Sequence, residues 1–479
     1  MTRRPPPPRT FPVAIVAIVA AVLAGGVALW RHKAAAPASP APVAAPAVHA
    51  PPPLPPLPAE PPARPAVAYV GSAKCAECHA KEFTAWQHSW HAKALQPGTP
   101  AAVAGNFRDA HFVGPSSEAW MKRAGARSVM RTHGVDGSLA DFPVDWVIGG
   151  KRMQDNVSVF PDGRWQVLPV YFHVTAKEWV DYTETKQGVM TPEHPYYWTN
   201  VRRMVNHECL DCHVTDLRVG YDRAQAKWTT QYTDGSVACE ACHGPGGHHA
   251  ESQDDDDIVH PTRAKDAGFA LCARCHGPRN PTFPLFDQSH AFRPGDSYDE
   301  AYDAIVVGAS NDFFADGRPS VSSFEYQALV QSACFRKGGA TCLTCHTAPH
   351  EPHKPGELRD DPDASCKTCH PQIAGNAAAH AHHDKPIRCV DCHMPPTVTG
   401  VLDHFADHAI DLPSPTNTIK HGIPSACGVC HADKGTETLA TWAAQQWPDL
   451  ARREARRVRL ADAFDEATAR TSAPALRQV

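Results

Sequence analysis

The longest uninterrupted apolar run in the chain is Phe11 to Trp30, which contains no charged residue. A stretch of this length can span a bilayer core as a helix. Arg3, Arg4 and Arg9 precede it, and Arg31 and Lys33 follow. The heavier charge on the amino side favours an amino terminus kept in the cytoplasm. The pattern favours an uncleaved anchor. A cleaved secretory signal is the alternative, with Ala34-Ala35-Ala36 as the cut site, although a basic cluster before it and Pro37 behind it place that site poorly. Either way the rest of the chain is exported, and no other segment is apolar enough to span.

Residues 34–68 are almost entirely Ala and Pro and cannot bury a core. Proline at this density predicts a polyproline II rod rising about 3.1 Å per residue, a linker able to reach on the order of 100 Å. Further on, Phe142 to Ile148, Lys151 to Phe160 and Arg164 to Val174 are rich in apolar and β-branched residues, and Gly149-Gly150 and Pro161-Asp162-Gly163 separate them. That pattern predicts a small β-meander insert near 142–174. Elsewhere the short apolar stretches between Pro and Gly predict brief helices joined by irregular loops. Near the end, a helix from Thr438 to Trp447, a break at Pro448 and a helix from about Asp449 to Ala467 are expected.

Eight Cys-x-x-Cys-His motifs use sixteen of the seventeen cysteines. Their cysteine pairs are Cys75 and Cys78, Cys209 and Cys212, Cys239 and Cys242, Cys272 and Cys275, Cys342 and Cys345, Cys366 and Cys369, Cys389 and Cys392, and Cys427 and Cys430. The histidines that follow are His79, His213, His243, His276, His346, His370, His393 and His431. A zinc ribbon has no need of histidine at the same offset in every copy, and a dithiol redox protein has no need of eight copies. The motif is the attachment signature of c-type haem, in which two thiols bind the porphyrin vinyl groups and the histidine binds iron from its proximal side. Eight covalently bound haems are therefore expected, in a mainly α fold with extensive coil that is organised around the haems. The longest gap between motifs is the first, from 75 to 209, and it holds the predicted meander. The resulting division is 1–33 for the tip and anchor, 34–68 for the linker, 69–432 for the octahaem domain and 433–479 for a helical extension and tail.

What occupies the sixth iron position separates electron carriage from chemistry. The chain has 29 histidines, and nineteen remain once the proximal eight, His32 and His49 are set aside. Methionine is scarce, so bis-histidine ligation should dominate, with the lower potentials that accompany it. Distal candidates by position are His91, His111, His207, His248, His350, His382, His404, His408 and His421, with His249, His353 and His383 also close to motifs. Cys334 is the odd thiol, and a buried, inert role is the commoner fate of such a residue.

Net charge is −5 and the sequence pI about 6.6, which gives no bulk field for nucleic acid or an anionic membrane surface. The acidic run Asp254 to Asp257 reads as a solvated loop, and Arg452, Arg453, Arg456, Arg457 and Arg459 as a solvated helix face.

Cys75-Ala-Glu-Cys78-His79, then Trp86, then Ser89-Trp90-His91-Ala92-Lys93-Ala94-Leu95, resembles the opening of the tetrahaem cytochromes that accept electrons from hydroxylamine oxidoreductase. Cys239 to Gly246 is similar to their third motif, and the likeness covers roughly residues 70 to 280. The resemblance implies a distal-ligand role for His91. The second half, including Cys389-Val-Asp-Cys392-His393-Met394-Pro395 and Pro424-Ser425-Ala426-Cys427, is similar to larger multihaem proteins, some of them nitrite-reductase-like. The Cys-x-x-Cys-Lys motif that usually marks ammonia-forming nitrite reductases does not occur, and no tyrosine follows Tyr326 to make the crosslink of hydroxylamine oxidoreductases.

The function expected is therefore electron relay from a quinol-linked inner-membrane donor to a periplasmic or outer-membrane acceptor, on the periplasmic face of the membrane, or in the soluble periplasm if the leader is cleaved. The alternative is a reductase or oxidase of a small nitrogen or sulfur species such as nitrite, hydroxylamine or tetrathionate at one five-coordinate haem. In that case Lys151, Arg152, Tyr171 and His173 of the insert would cap the open face, though packing as a lid against a haem edge is the plainer role for them. Intact-mass measurement of protein made in a host competent for cytochrome maturation should show a mass increment of eight haems. A bare polypeptide or bound zinc would refute the motif reading.

Overall fold

The computed structural model describes residues 66–472 apart from 183–188, 264, 278–279, 283–289, 304–311, 322–323 and 401. The apolar run Phe11 to Trp30 and nearly all of the Ala/Pro stretch lie outside these residues. Among the described residues, no helix is long and apolar enough to cross a membrane.

Each motif falls on or against a short helix. These are Ser72–Cys75, Leu210–His213, Cys239–His243, Lys265–Ala273, Cys342–Cys345, Pro362–Cys369, Cys389–His393 and Ala426–Cys430. One turn is enough to bring two cysteines three positions apart onto one face. Pro362 opens its helix at a position that needs no amide hydrogen, and the Asp361 side chain accepts from the Asp363 amide to cap it. Helices this short are not stable alone in water. Yet Cys342–Cys345, Pro362–Cys369, Pro371–Ala374, Ala377–Ala381 and Cys389–His393 bury none of their own residues. These five helices draw nothing from burial of their own side chains.

The fold is mixed α and β rather than mainly α, because the insert after the first motif is larger than the predicted meander. One sheet has four antiparallel strands in the order β2 (Ala110–Val113), β3 (Glu118–Ala124), β4 (Arg127–His133) and β5 (Leu139–Pro143). The second runs β1 (Leu95–Pro97), β6 (Trp146–Gly149), β7 (Met153–Val159), β9 (Val170–His173) and β10 (Glu178–Asp181), with β8 (Trp165–Val167) paired to β7. Both predicted turns are present. The β7–β8 turn requires glycine at Gly163, which has φ +80° and where a Cβ would lie 2.0 Å from the Trp228 carbonyl oxygen. The strands before residue 142 escape a search for apolar runs because charge surrounds their inward residues. In β3, Ala119 and Met121 are fully buried while Lys122, Arg123 and Glu118 are not.

Two apolar clusters hold this β body. One joins Phe107, Met121, Met130, Val147, Leu168, Val170 and Trp198. The other joins Leu95, Ile148, Val157 and Val167 to Val205, Leu210 and Val214, and so fixes the helix of the second motif against the six-stranded sheet. A third, smaller cluster of Ala270, Ala273, Phe292, Tyr298 and Tyr302 seats the fourth motif.

The carboxy-terminal helices Thr436–Gln446 and Leu450–Ser472 follow the predicted break. Arg452, Arg453, Arg456 and Arg459 are exposed as expected, but Arg457 is not. It is 6% exposed and bonds Asp411, the Asp316 carbonyl at 3.1 Å and Gln331 at 2.9 Å. One helix turn carries Glu454 inward beside it, where its carboxylate accepts from Ser414 at 2.6 Å and Thr416 at 2.5 Å. Asp316 and Asp407 clamp Arg318 at 2.8 Å and 2.9 Å, all three buried. This polar network locks the last helix onto the segment that precedes the fifth motif.

Removing one partner of such a buried network leaves uncompensated charge. Arg318→Ala is expected to destabilise the domain by about 3–5 kcal/mol, seen as a lower midpoint of chemical unfolding followed by far-ultraviolet circular dichroism. The exposed Arg459→Ala should stay within about 0.5 kcal/mol of the parent.

Candidate functional site

Five motif histidines face a second imidazole at nearly constant separation. His79 and His249 have ring centres 6.3 Å apart, His243 and His350 6.2 Å, His346 and His408 6.4 Å, His393 and His380 6.2 Å, and His431 and His383 6.3 Å. Interplanar angles lie between 13° and 30°. Rings in van der Waals contact would bring carbons to about 3.5–4 Å, so these pairs do not stack on one another. A first-row metal sits about 2 Å from an imidazole nitrogen and the ring centre about 1 Å further back, which sets two histidines on one metal about 6 Å apart. The five gaps therefore fit iron held between two histidines. His260 also lies 6.4 Å from His243, but edge-on at 83° and with Nε2 at 3.1 Å from the Asp255 carbonyl.

A carbonyl can only accept, so a ring nitrogen facing one carries the proton and leaves the other nitrogen for metal. Nδ1 donates to a backbone carbonyl in His213 (Ala94, 2.8 Å), His243 (Val259, 2.8 Å), His346 (Gly356, 3.2 Å) and His393 (Asp411, 3.0 Å). The same holds for His249 (Asp254, 2.8 Å), His383 (Ala381, 2.6 Å) and His408 (Ala406, 3.1 Å). His276 and His91 differ. Their Nδ1 atoms face carboxylates, Glu325 at 3.7 Å and Glu357 at 3.9 Å. Burial lowers the pKa of His91, His243, His346 and His380, which suits the neutral imidazole that metal requires.

Burial also pushes the Cys209 and Cys242 thiols up to about 12, so neither is a reactive thiolate. An uncharged thioether suits such surroundings. The seventeen cysteines form no disulfide. Cys334 is half-buried beside Cys369, with its thiol pKa raised by burial.

The motifs touch one another in sequence. The Cys75 thiol lies beside that of Cys239, and the Cys272 thiol beside that of Cys342. Arg274 of the fourth motif pairs with Asp211 of the second at 3.1 Å. Arg359, just before the sixth motif, donates its amide to the Cys345 carbonyl at 2.9 Å. Asp363 accepts from the Cys389 amide at 3.0 Å, and Cys392 lies against Cys427. His91 sits beside His276, and His350, which follows the fifth motif, faces the third.

Of the distal candidates, His350 and His408 meet a motif histidine at the metal spacing, and His91 lies close to one. The others are engaged differently. His111 bonds Glu118 at 3.0 Å and stacks on Trp120, His207 lies against Trp228, and the exposed His248 meets Asp257 at 2.9 Å. His382 meets the Trp447 ring edge-on, and His404 lies in the strand Asp403–Phe405. His421 is held through both ring nitrogens, by Asp465 at 2.5 Å and Asp462 at 3.0 Å. His249 and His383 were secondary candidates, whereas His380 carried no signal beyond its place in the His-rich stretch His380-Ala-His-His383. Among the described residues, no imidazole faces His213, His276 or His370 at the metal spacing, and His91 lies beside His276 without meeting it.

The insert residues do not line an open pocket. Tyr171 is fully buried in the β body, His173 lies 3.5 Å from Asp403, and Arg152 stacks over Phe405 at 4.2 Å. The insert packs on the hairpin that follows the seventh motif.

Residues 74–109 and 173–244, which hold the first three motifs and His91, match the family model for cytochrome c554 and c-prime. No curated protein sequence matches the chain. Among solved structures, the outer cell wall cytochrome OcwA aligns with TM-score 0.56 at 19% identity, covering 81% of this chain and 89% of its own. The undecaheme cytochrome from the S-layer of Carboxydothermus ferrireducens aligns at TM-score 0.42 and 17% identity, over 80% and 61% of the two chains. The octaheme sulfite reductase MccA of Wolinella succinogenes aligns at 0.35 and 13%, over 72% and 58%. The repeated motif and the two matched segments make this chain similar to the multihaem c-type cytochromes, which carry covalently bound haem, and its fold is shared with one of them.

Proposed function

We propose that all eight motifs carry haem and that the protein is an exported relay, passing electrons from a quinol-linked inner-membrane donor to a periplasmic or outer-membrane acceptor. The observation that carries this is the unbroken series of contacts between motifs. First meets third, third meets fourth where Cys242 lies beside Cys272, second meets fourth, and fourth, fifth, sixth, seventh and eighth follow one another. Each bound haem supplies a one-electron ferric/ferrous couple, so every electron taken from the donor reaches the acceptor with no bond made or broken.

The chain's part is positioning. Backbone carbonyls orient the imidazoles, paired histidines fill both axial positions at six of the eight motifs, and the short helices set neighbouring porphyrins against one another. Cys78, Cys369 and Cys430 are exposed, which gives the network open ends for partners. The axial pairs proposed are His79 with His249, His243 with His350, His276 with His91, His346 with His408, His393 with His380 and His431 with His383. Export rests on the run Phe11 to Trp30, as anchor or leader, and the Ala/Pro stretch would hold the haem domain away from the membrane.

One arrangement favours the second reading, a reductase or oxidase of a small nitrogen or sulfur species. Beside Cys209, the half-buried Asp155 accepts from the Tyr182 hydroxyl, and the Arg203 guanidinium lies 3.8 Å from the Tyr182 ring centre. Burial raises the Asp155 carboxyl above its ordinary range. Such a cluster could supply protons and positive charge to a substrate on the second haem.

His380→Ala should convert one haem equivalent from low-spin to high-spin by low-temperature electron paramagnetic resonance, while His382→Ala should leave the spectrum unchanged. For the whole protein, the relay reading expects full reduction by a low-potential donor and a spectrum indifferent to nitrite or hydroxylamine. A high-spin signal that shifts on adding either ligand, and that Arg203→Ala alters, would replace the relay with the enzyme.

A further inference from the structure

Seven axial histidines donate Nδ1 to a backbone carbonyl, a neutral acceptor. At the fourth motif the pattern changes on both sides. Glu325 faces Nδ1 of His276 at 3.7 Å, and Glu357 faces Nδ1 of His91 at 3.9 Å. The His91 Nδ1 atom is buried without a hydrogen bond, so that carboxylate is what it faces in place of a carbonyl. Neither glutamate is fully exposed, at 29% and 22% of side-chain surface, so bulk water screens their charge only in part. Lys151 opposes Glu357 at His91 but acts more weakly.

A carboxylate behind a metal-bound imidazole raises the basicity of the ligand. Negative charge near iron also favours the ferric over the ferrous state, because reduction removes one positive charge that the carboxylate stabilises. A carbonyl dipole does this less than a full charge. We infer that Glu325 and Glu357 tune the haem at Cys272 and Cys275 to the most negative potential in the network, an inference that rests on the axial pairing of His276 with His91. The position gives the tuning a consequence. The fourth motif touches the second through Arg274 and Asp211 and the fifth through Cys272 and Cys342, so traffic between the amino-terminal motifs and the fifth-to-eighth series meets an uphill step there. The glutamates are tuning residues that act through the ligands and touch no substrate.

The test is a reductive titration of the full-length holoprotein, followed by electron paramagnetic resonance of the low-spin haems. His91→Ala first identifies the signal, since it should turn one low-spin haem high-spin. In the parent protein that signal should be the last to disappear on reduction. Glu325→Gln and Glu357→Gln should each move its midpoint positive, the double variant further than either, while Glu325→Asp stays near the parent and haem content is unchanged in all. The inference is overturned if the marked signal titrates in mid-series, or if it keeps its midpoint in both glutamine variants. Should His91→Ala leave every spin state as it was, the axial pairing is wrong and the assignment falls with it. Two separate glutamates on different segments keep the test open if one variant matures poorly.

Discussion

The structure depends on one fixed distance, that between two imidazoles able to bind a single metal from opposite sides. Five pairs of histidines meet it within 0.2 Å of one another, 6.2 to 6.4 Å, although their partners lie from thirteen to more than a hundred residues apart in sequence. No contact energy between two rings accounts for such a gap, whereas a bond of about 2 Å from each nitrogen to iron does. The carbonyls behind Nδ1 complete the constraint by fixing which nitrogen points inward.

Helices of four or five residues with no buried side chain cannot stabilise themselves, and Cys342–Cys345, Pro371–Ala374, Ala377–Ala381 and Cys389–His393 are of this kind. The β body solves the opposite problem. It has an ordinary apolar core around Met121, Met130 and Leu168, and it lends one face to Leu210 and Val214 of the second motif. The buried Arg318 and Arg457 networks then fix the last helix where few apolar residues are available to do so.

Contact between motifs, rather than their number, separates a relay from a collection of independent centres. Thiols of the first and third motifs are neighbours, and so are those of the fourth and fifth, which places those motifs side by side. Histidines cross between units as well, since His350 follows the fifth motif and faces the third.

The sequence by itself determined the attachment chemistry, since Cys-x-x-Cys-His is a local pattern whose five residues share one turn. It also determined the break at Pro448, and the turns at Gly149-Gly150 and Gly163, for the same reason of locality. The early strands stayed hidden because lysine, arginine and glutamate surround Ala119 and Met121, and only packing with Phe107, Leu168 and Trp198 buries those two. Arg457 could not be told from its exposed neighbours, since helix phase sets burial only once Asp411 and Gln331 are in place. Which histidines face a motif histidine was decided by tertiary structure alone. Such a pairing forms across space, so His380 and His111 look alike along the chain until one faces His393 and the other Glu118.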